Sequence, residues 1–364
     1  MHNFKENVIL ANYTTIKLGG TAKYFCECKT EKELVDCLKL ADEKQLKTHI
    51  LGGGSNTVFS DSGFDGLVIK TGMKGIELHN DFKDNVIIKV SAGEEWDDFV
   101  KYCVENKYSG VECLSGIPGS AGASPIQNIG AYGQEVKDTI IFVKALDRKT
   151  CKSVMFANED CLFGYRTSRF KNIDKEKYIV TEVLFKLKKD GNPEIKYPEL
   201  EKKLNEKYKS DLSLSIVRNV VIELRKKKAM VVDESEPDSV SCGSFFVNLV
   251  LSETEFQNFY EQIENGKWPA VAGANNAKTE NSEKHSIPFY KTSDGVKLSA
   301  AWLIENAGFK KGYTKNGAGI SAKHSLALVN RGGTTADLLK LAKEIQEKVF
   351  EKFRVKLIRE PEVI

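Results

Sequence analysis

The stretch best suited to chemistry is Ser115-Gly-Ile-Pro-Gly-Ser-Ala-Gly-Ala-Ser-Pro-Ile-Gln-Asn-Ile-Gly-Ala-Tyr-Gly133. Five glycines and two prolines in these nineteen positions cannot pack as a core element. A flexible linker would have that composition, but linkers seldom hold Ile117, Ile126, Gln127, Asn128, Ile129 and Tyr132 between their glycines. Apolar and amide groups in a glycine-rich loop suit a flat ligand with a phosphate tail. Apolar side chains pack on its ring, amides meet the ring's polar edge, and glycine permits close approach. Ser115, Ile117, Pro118, Gly119, Gly122, Gln127, Asn128, Gly130, Ala131 and Tyr132 are therefore candidate ligand contacts.

A second glycine segment, Leu51-Gly-Gly-Gly-Ser-Asn-Thr57, precedes it. Gly52, Gly53 and Gly54 let backbone N–H groups converge on an anion, and Ser55, Asn56 and Thr57 add side-chain donors. A plain turn between two strands has the same letters. No helical pattern follows, and the third glycine of the dinucleotide fingerprint is missing, so a nucleotide bound here sits on a strand–loop–strand framework.

Around these segments the elements are local and legible. Residues 30–43 predict a helix, with Thr30 and Glu33 spaced as a capping box and Leu34, Leu38 and Ala41 on one face. Strands are expected at 85–93, 139–147 and 178–188, and an amphipathic helix at 95–107. Residues 198–231 carry two helical patterns, ending in the basic run Arg225–Lys228, which reads as a solvated helix end or the seat of one anionic ligand. A polar loop is expected at 265–295. A long helix at 335–353, buried through Leu338, Leu341, Ala342, Ile345 and Val349, leads into an expected short strand, RVKLI. A domain boundary falls near 226.

Composition narrows the class. The chain has 364 residues, enough for two or three domains, with 41% hydrophobic and 29% charged residues, the profile of a globular protein. Fifty-four Lys and Arg against fifty-one Asp and Glu leave a net charge of +3, which gives no nucleic-acid footprint. No apolar run spans a membrane, and no signal-peptide core precedes the first helix, so a cytoplasmic enzyme, monomeric or a small oligomer, is expected. The eight cysteines do not read as a disulfide framework. Cys26 and Cys28 are the one close pair, at the wrong spacing for a zinc knuckle, and no metal is expected.

The run GIPGSAGASPIQNIGAYG closely resembles the flavin-binding signature of UDP-N-acetylenolpyruvoylglucosamine reductases, enzymes of peptidoglycan precursor synthesis. Asn12-Tyr-Thr-Thr-Ile-Lys-Leu-Gly-Gly20 is similar to the family's N-terminal stretch, and GGGSN to its pyrophosphate loop. Tyr165-Arg-Thr-Ser-Arg-Phe-Lys171, Cys242-Gly-Ser-Phe-Phe-Val-Asn248, Ala300-Ala-Trp-Leu-Ile-Glu305, Lys323-His-Ser-Leu-Ala-Leu-Val-Asn330 and Glu360-Pro-Glu-Val363 follow in family order. Any one is weak; in series they cover essentially the whole chain.

The resemblance implies an α+β fold: a two-part FAD-binding domain of the vanillyl-alcohol-oxidase-like type (1–70 and 71–226), a substrate-binding domain (227–352), and a C-terminal strand (353–364) returning to the active site. It implies FAD and NADPH as cofactors and a UDP-sugar enolpyruvyl ether as substrate, reduced to the lactyl ether. Hydride added to the terminal alkene carbon leaves negative charge that must be held on the neighbouring carboxylate, and the carbon must then be protonated. By resemblance Arg166 and Glu362 hold the carboxylate and Ser244 supplies the proton. Tyr165, Tyr197, Lys228, Asn248 and Lys297 are the implied substrate contacts, Tyr197 through the family branch with an extra tyrosine-bearing loop.

The chain departs from the family in two places. It reads FFVNLV where a proline usually follows the asparagine, and it stops at Ile364, two residues past Glu362. A frayed end would leave that carboxylate poorly fixed. An FAD oxidase would share the glycine loops, although its frequent flavin-tethering histidine is absent from both, and a nucleotide-binding regulator without catalysis would not need Arg166, Ser244 and Glu362 together.

Overall fold

Short apolar runs in the first seventy residues build a mixed sheet. The structure, a computed structural model, describes residues 4–208, 212–264, 287–292 and 295–364. Strands β1 (Lys5–Ile9), β2 (Thr21–Cys28), β3 (Thr48–Leu51), β4 (Thr57–Val58) and β5 (Phe64–Thr71) open the chain. Four of them pair in the order β1-β2-β5-β3, the last two contacts parallel. A parallel neighbour needs a crossover, and helix α1 (Glu31–Glu43) supplies it, burying Leu34, Cys37, Leu38 and Ala41. Thr30 caps that helix, its hydroxyl accepting from Glu33 N at 3.1 Å. The Glu33 carboxylate accepts instead from Lys29 N, so the expected capping box is half formed.

The second sheet is antiparallel: β6 (Ile76–Asp81), β7 (Asn85–Ser91), β8 (Ile140–Asp147), β9 (Ser153–Ala157) and β10 (Tyr178–Lys189), in the order β9-β8-β10-β7-β6. Helix α2 (Trp96–Glu105) buries Trp96, Phe99 and Cys103 beneath it, with Phe99 and Phe185 rings 4.7 Å apart. Helices α3 (Pro198–Lys207) and α4 (Leu214–Lys227) follow, and α4 carries the chain through residue 226. Arg218 on α4 grips Asp97 on α2 with two parallel hydrogen bonds of 2.7 Å. That bidentate geometry fixes orientation as well as distance.

The C-terminal region holds β11 (Ser241–Ser244), β12 (Leu249–Leu251), α5 (Glu253–Glu264), β13 (Phe289–Thr292), β14 (Gly295–Leu298) and α6 (Ala300–Asn306). Then come β15 (Thr314–Lys315), β16 (Ala318–Ile320), β17 (Ala327–Asn330), α7 (Thr335–Phe353) and β18 (Glu362–Val363). Two small antiparallel sheets, β11-β17-β16-β15 and β12-β14-β13, enclose a core around Phe245 and Phe246, both fully buried. Helix α7 faces that core with Leu338, Leu341, Ala342, Ile345 and Val349, each burial contributing about 1.5–3 kcal/mol for the larger side chains.

Most of the expected 265–295 loop lies outside the described residues. The expected strand at RVKLI does not form. Arg354 ends α7 in the left-handed region (φ 56°), the chain then makes one bridge from Arg359 to Phe246, and only Glu362–Val363 pairs, parallel to β4. The end is held, since Glu362 N donates to Asn56 O and Ile364 N to Val58 O, both at 2.9 Å. The front region also caps α7: the Asp61 carboxylate accepts from Thr335 N and Ala336 N, 2.8 Å each. Among the described residues, no helix is long and apolar enough to cross a membrane.

Candidate active site

The two glycine turns meet backbone to backbone. A Cβ on Gly53 would sit 2.6 Å from Gly119 Cα, so only glycine lets the turns touch. Ser55 Oγ locks the pair by donating to Pro118 O at 2.9 Å. The start of the longer loop is pinned to the α2–α4 clamp, because Gly116 N donates to Asp97 Oδ1 at 2.6 Å. Burial pushes the Asp97 carboxyl up, but Arg218 and the Gly116 N–H outweigh it and hold it below its ordinary value.

Between these turns, the β18 segment and Arg166 lies a cavity of about 800 Å³, within the range of small-molecule and cofactor sites. Gly52, Ser55, Asn56, Thr57, Ile117, Pro118, Gly119, Gly122, Gln127 and Gly130 line it. Six expected contacts stand behind that wall. Gly53 and Gly54 are packed on Gly119 and on Tyr13 O. The Ser115 hydroxyl donates to Glu112 O. Asn128 spends its side chain on Glu135, Gly164 O and Lys137 N. Ala131 lies in a two-residue strand paired with Gln134, and the Tyr132 ring meets Tyr197 edge-on at 5.5 Å. The contacts of these six shape the loops that carry the lining residues.

Arg166 lies at the far side in a left-handed conformation (φ 55°), uncommon for a side chain of its size. Its Nη2 donates to Gly130 O at 2.6 Å, and its Nε lies 3.2 Å from Glu360 Oε1. Glu360, its side chain 12% exposed, also accepts from Gln127 Nε2 at 3.3 Å. Burial raises the Glu360 carboxyl above its ordinary range, against the opposing pull of Arg166 and Lys171. Glu362, the acid expected beside Arg166, pairs instead with Lys175 at 3.0 Å and is 41% exposed. Buried Pro361 separates the two acids at a bend, Glu362 enters the pairing with β4, and both Glu360 and Glu362 line the cavity. Ser244, at the end of β11, lines the same cavity as Arg166 and Glu360.

The expected substrate contacts fall into two groups. Lys297 Nζ stands 3.7 Å over the Tyr165 ring. Burial first, and then the charge of Arg166, lower its pKa to about 8. Asn248, near Tyr165, directs its Oδ1 to Ala300 N at 3.0 Å. The second group joins Tyr197 and Tyr132 with Lys228, whose Nζ is 5.7 Å over the Tyr132 ring and 2.7 Å from Glu199.

Sequence reasoning missed several polar wall residues besides Glu360, Arg225, His49, Ser120 and Lys171 among them. Arg225 belongs to the basic run expected as a solvated helix end or the seat of one anionic ligand; it is enclosed, with Nη2 donating to Met230 O and its pKa lowered to about 10 by burial. His49, Ser120 and Lys171 also line the cavity. Nothing in their local spacing marks them, because long-range folding brings them there. Among the described residues, three buried side-chain polar atoms lack a hydrogen-bond partner: His49 Nε2, Ser120 Oγ and Arg225 Nε. All three belong to residues of this one cavity wall. Buried polar groups are nearly always satisfied, so the wall has the donor set of a site built for a polar, anion-bearing ligand, and an FAD fits it.

Residues 22–150 match the FAD binding domain family. Residues 236–364 match the C-terminal domain of UDP-N-acetylenolpyruvoylglucosamine reductase. The chain is 43% identical to the UDP-N-acetylenolpyruvoylglucosamine reductase of Thermobifida fusca, covering 100% of this chain and 98% of that one. It is 43% identical to the enzyme of that name from Streptomyces coelicolor, over 97% and 88%. The crystal structure of the reductase from Thermus caldophilus shares the fold, with a TM-score of 0.64 at 23% identity over 99% of each chain. With full-length relatives at this identity and two family domains in order, the chain belongs to the UDP-N-acetylenolpyruvoylglucosamine reductase family.

Proposed function

We propose that this chain reduces the enolpyruvyl ether of UDP-N-acetylglucosamine to the lactyl ether, using NADPH and FAD, in peptidoglycan precursor synthesis. The observation that carries this reading is the arginine–carboxylate pair Arg166–Glu360 on one wall of the cavity that both glycine turns line, with Ser244 on the same wall. The chemistry supplied when FAD is held here is a two-electron relay of hydride from NADPH to an alkene.

The chain's own residues do the rest. His49, Ser120 and Arg225 offer their unsatisfied polar atoms to the cofactor, and the Ser55 and Pro118 contact keeps the two turns in register around it. Arg166 takes the substrate carboxylate in its guanidinium fork, where charge develops as hydride arrives. Glu360 holds Arg166 from its other side at 3.2 Å and so orients the guanidinium toward the substrate carboxylate. Ser244 delivers a proton to the carbon next to that carboxylate. A hydroxyl is a feeble acid in water, so this step needs a strongly basic carbon close by and bulk water kept out. Lys297, Tyr165 and Asn248, with the Tyr197–Tyr132–Lys228 group, receive the sugar nucleotide and its diphosphate. Glu362, which lines the same cavity, is the second acid available to the carboxylate.

The purified chain is expected to be yellow, to bleach with NADPH, and to recolour with the enolpyruvyl sugar nucleotide. A colourless protein that refuses added FAD overturns the reading, and so does rapid recolouring by dioxygen alone. Ser244→Ala is expected to bleach normally but recolour with substrate about 10²–10⁴ times more slowly; an unchanged rate removes the serine from the mechanism.

A further inference from the structure

We propose that Cys26, Cys28 and Cys37 form a three-thiolate binding site for a trivalent thiophilic metalloid, arsenic(III) or antimony(III), separate from the flavin cavity. Cys26 and Cys28 alternate along β2 and so point to one face of the first sheet. Helix α1 crosses that face and lowers Cys37 between them. The three sulfurs lie within 4.8 Å of one another, with Cys26 Sγ and Cys28 Sγ 3.9 Å apart. A three-coordinate ion with bonds near the ~2.3 Å typical of metal–thiolate contacts holds its sulfurs about 3.4–4.0 Å apart. One edge of the triangle already has that length, and small χ1 adjustments close the others.

The surroundings choose the charge of the occupant. Cys28 is 1% and Cys37 0% exposed, and Leu34, Leu38, Leu67, Ile69 and Met73 pack around the cluster. The charged side chain felt by Cys28 is Glu33, an anion. Three thiolates around a univalent or divalent ion leave net negative charge in this apolar setting, which is costly without a cation. A trivalent ion leaves none. The exchange M(OH)₃ + 3 RSH → M(SR)₃ + 3 H₂O breaks three M–O and three S–H bonds, forms three M–S and three O–H bonds, and changes no oxidation state. None of the three cysteines lines the flavin cavity, so an occupied site clamps β2 to α1 without blocking the reaction.

The test is native mass spectrometry of the flavin-loaded full chain after overnight incubation with arsenite just below its melting temperature. The expected product carries one arsenic less three protons, keeps its NADPH bleaching rate and melts higher. Cys37→Ser and Cys37→Ala, each verified by flavin spectrum, are expected to lose that product, weakening arsenite binding by more than the roughly 10–100-fold that loss of a supporting group costs. Any of the following outcomes overturns the proposal. One is no adduct on the parent chain. The second is an adduct keeping one hydroxyl and losing two protons, which marks a two-thiol site. The third is an unchanged adduct on both Cys37 variants, or zinc(II) retained more tightly than arsenite.

Discussion

Two carboxylates only two residues apart, Glu360 and Glu362, occupy opposite electrostatic surroundings. Glu360 is enclosed beside Arg166 and Gln127, while Glu362 is part-exposed and answers Lys175 on the rim. An exposed pair of the second kind contributes about 0–1 kcal/mol, whereas a group aimed at developing charge in an enclosed site contributes far more. Glu360→Gln is therefore expected to lower kcat roughly 10²–10³-fold with flavin retained, and Glu362→Gln to change it by less than about threefold. Steady-state kinetics on both variants decides; the reverse ranking returns the role to Glu362. Lys297 gives the site its pH response. Its ammonium is present below a pKa of about 8 and lost above it, earlier than for an ordinary lysine at 10.5. If that charge meets the substrate diphosphate, kcat/KM falls about tenfold per pH unit above 8. Lys297→Met flattens this limb, and Lys297→Arg moves it beyond the measurable range. Unfolding does not mimic the effect, because between about 8 and 10.5 the unfolded chain binds more protons at this residue, so its contribution to stability rises with pH.

At the scale of elements, the glycine turns function as backbone joints. Gly54 has φ +67°, and a Cβ there would lie 1.9 Å from Tyr13 O. Gly54→Ala is expected to cost about 2 kcal/mol or more and to weaken FAD binding, read by chemical denaturation and flavin titration; near-parental values would mean the turn relaxes freely. Helices were legible because their signals are local. The Thr30 cap and the α7 stripe each lie within one element's own letters. The strand–loop–strand setting of GGGSN was legible for the same reason, since no helical period follows it. What escaped was non-local. Arg225 lies in the basic last turn of its helix and is enclosed only once the chain folds back so that Met230 O accepts from its Nη2 and the Gly116 turn comes beside it. The ion-pair partners of Glu360 and Glu362, Arg166 and Lys175, are set by distant segments, and Cys37 joins Cys26 and Cys28 only through the crossover of α1. The RVKLI segment has strand-like letters but no neighbouring strand to pair with among the described residues, so composition misled there.

At the scale of the whole molecule, the cavity lies where distant parts of the chain close on one another. Its walls combine the two glycine turns, Arg225 from α4, Ser244 from β11 and the 358–363 segment. The same parts are tied by a few directional bonds: Thr15 Oγ1 to Ser241 O at 2.6 Å, Asp61 to the start of α7, and β18 to β4. A ligand that satisfies His49, Ser120 and Arg225 together therefore adds a further tie between segments far apart in the chain. By linkage, FAD at 100 times its Kd adds about 2.7 kcal/mol to the folded state, which in a chain this long raises Tm by a few degrees, roughly 2–4 °C. Removing Glu362–Ile364 deletes the β4 pairing and the hydrogen bonds to Asn56 O and Val58 O, so the Glu360 side of the wall loses its anchor. The truncated chain is expected to fold, to show a smaller FAD-dependent Tm shift, and to lose more turnover than Glu362→Gln does. Differential scanning fluorimetry with and without FAD, paired with NADPH turnover, reads both effects. An FAD shift and turnover equal to those of the full chain would show that the last strand is an ornament of the fold rather than part of the wall.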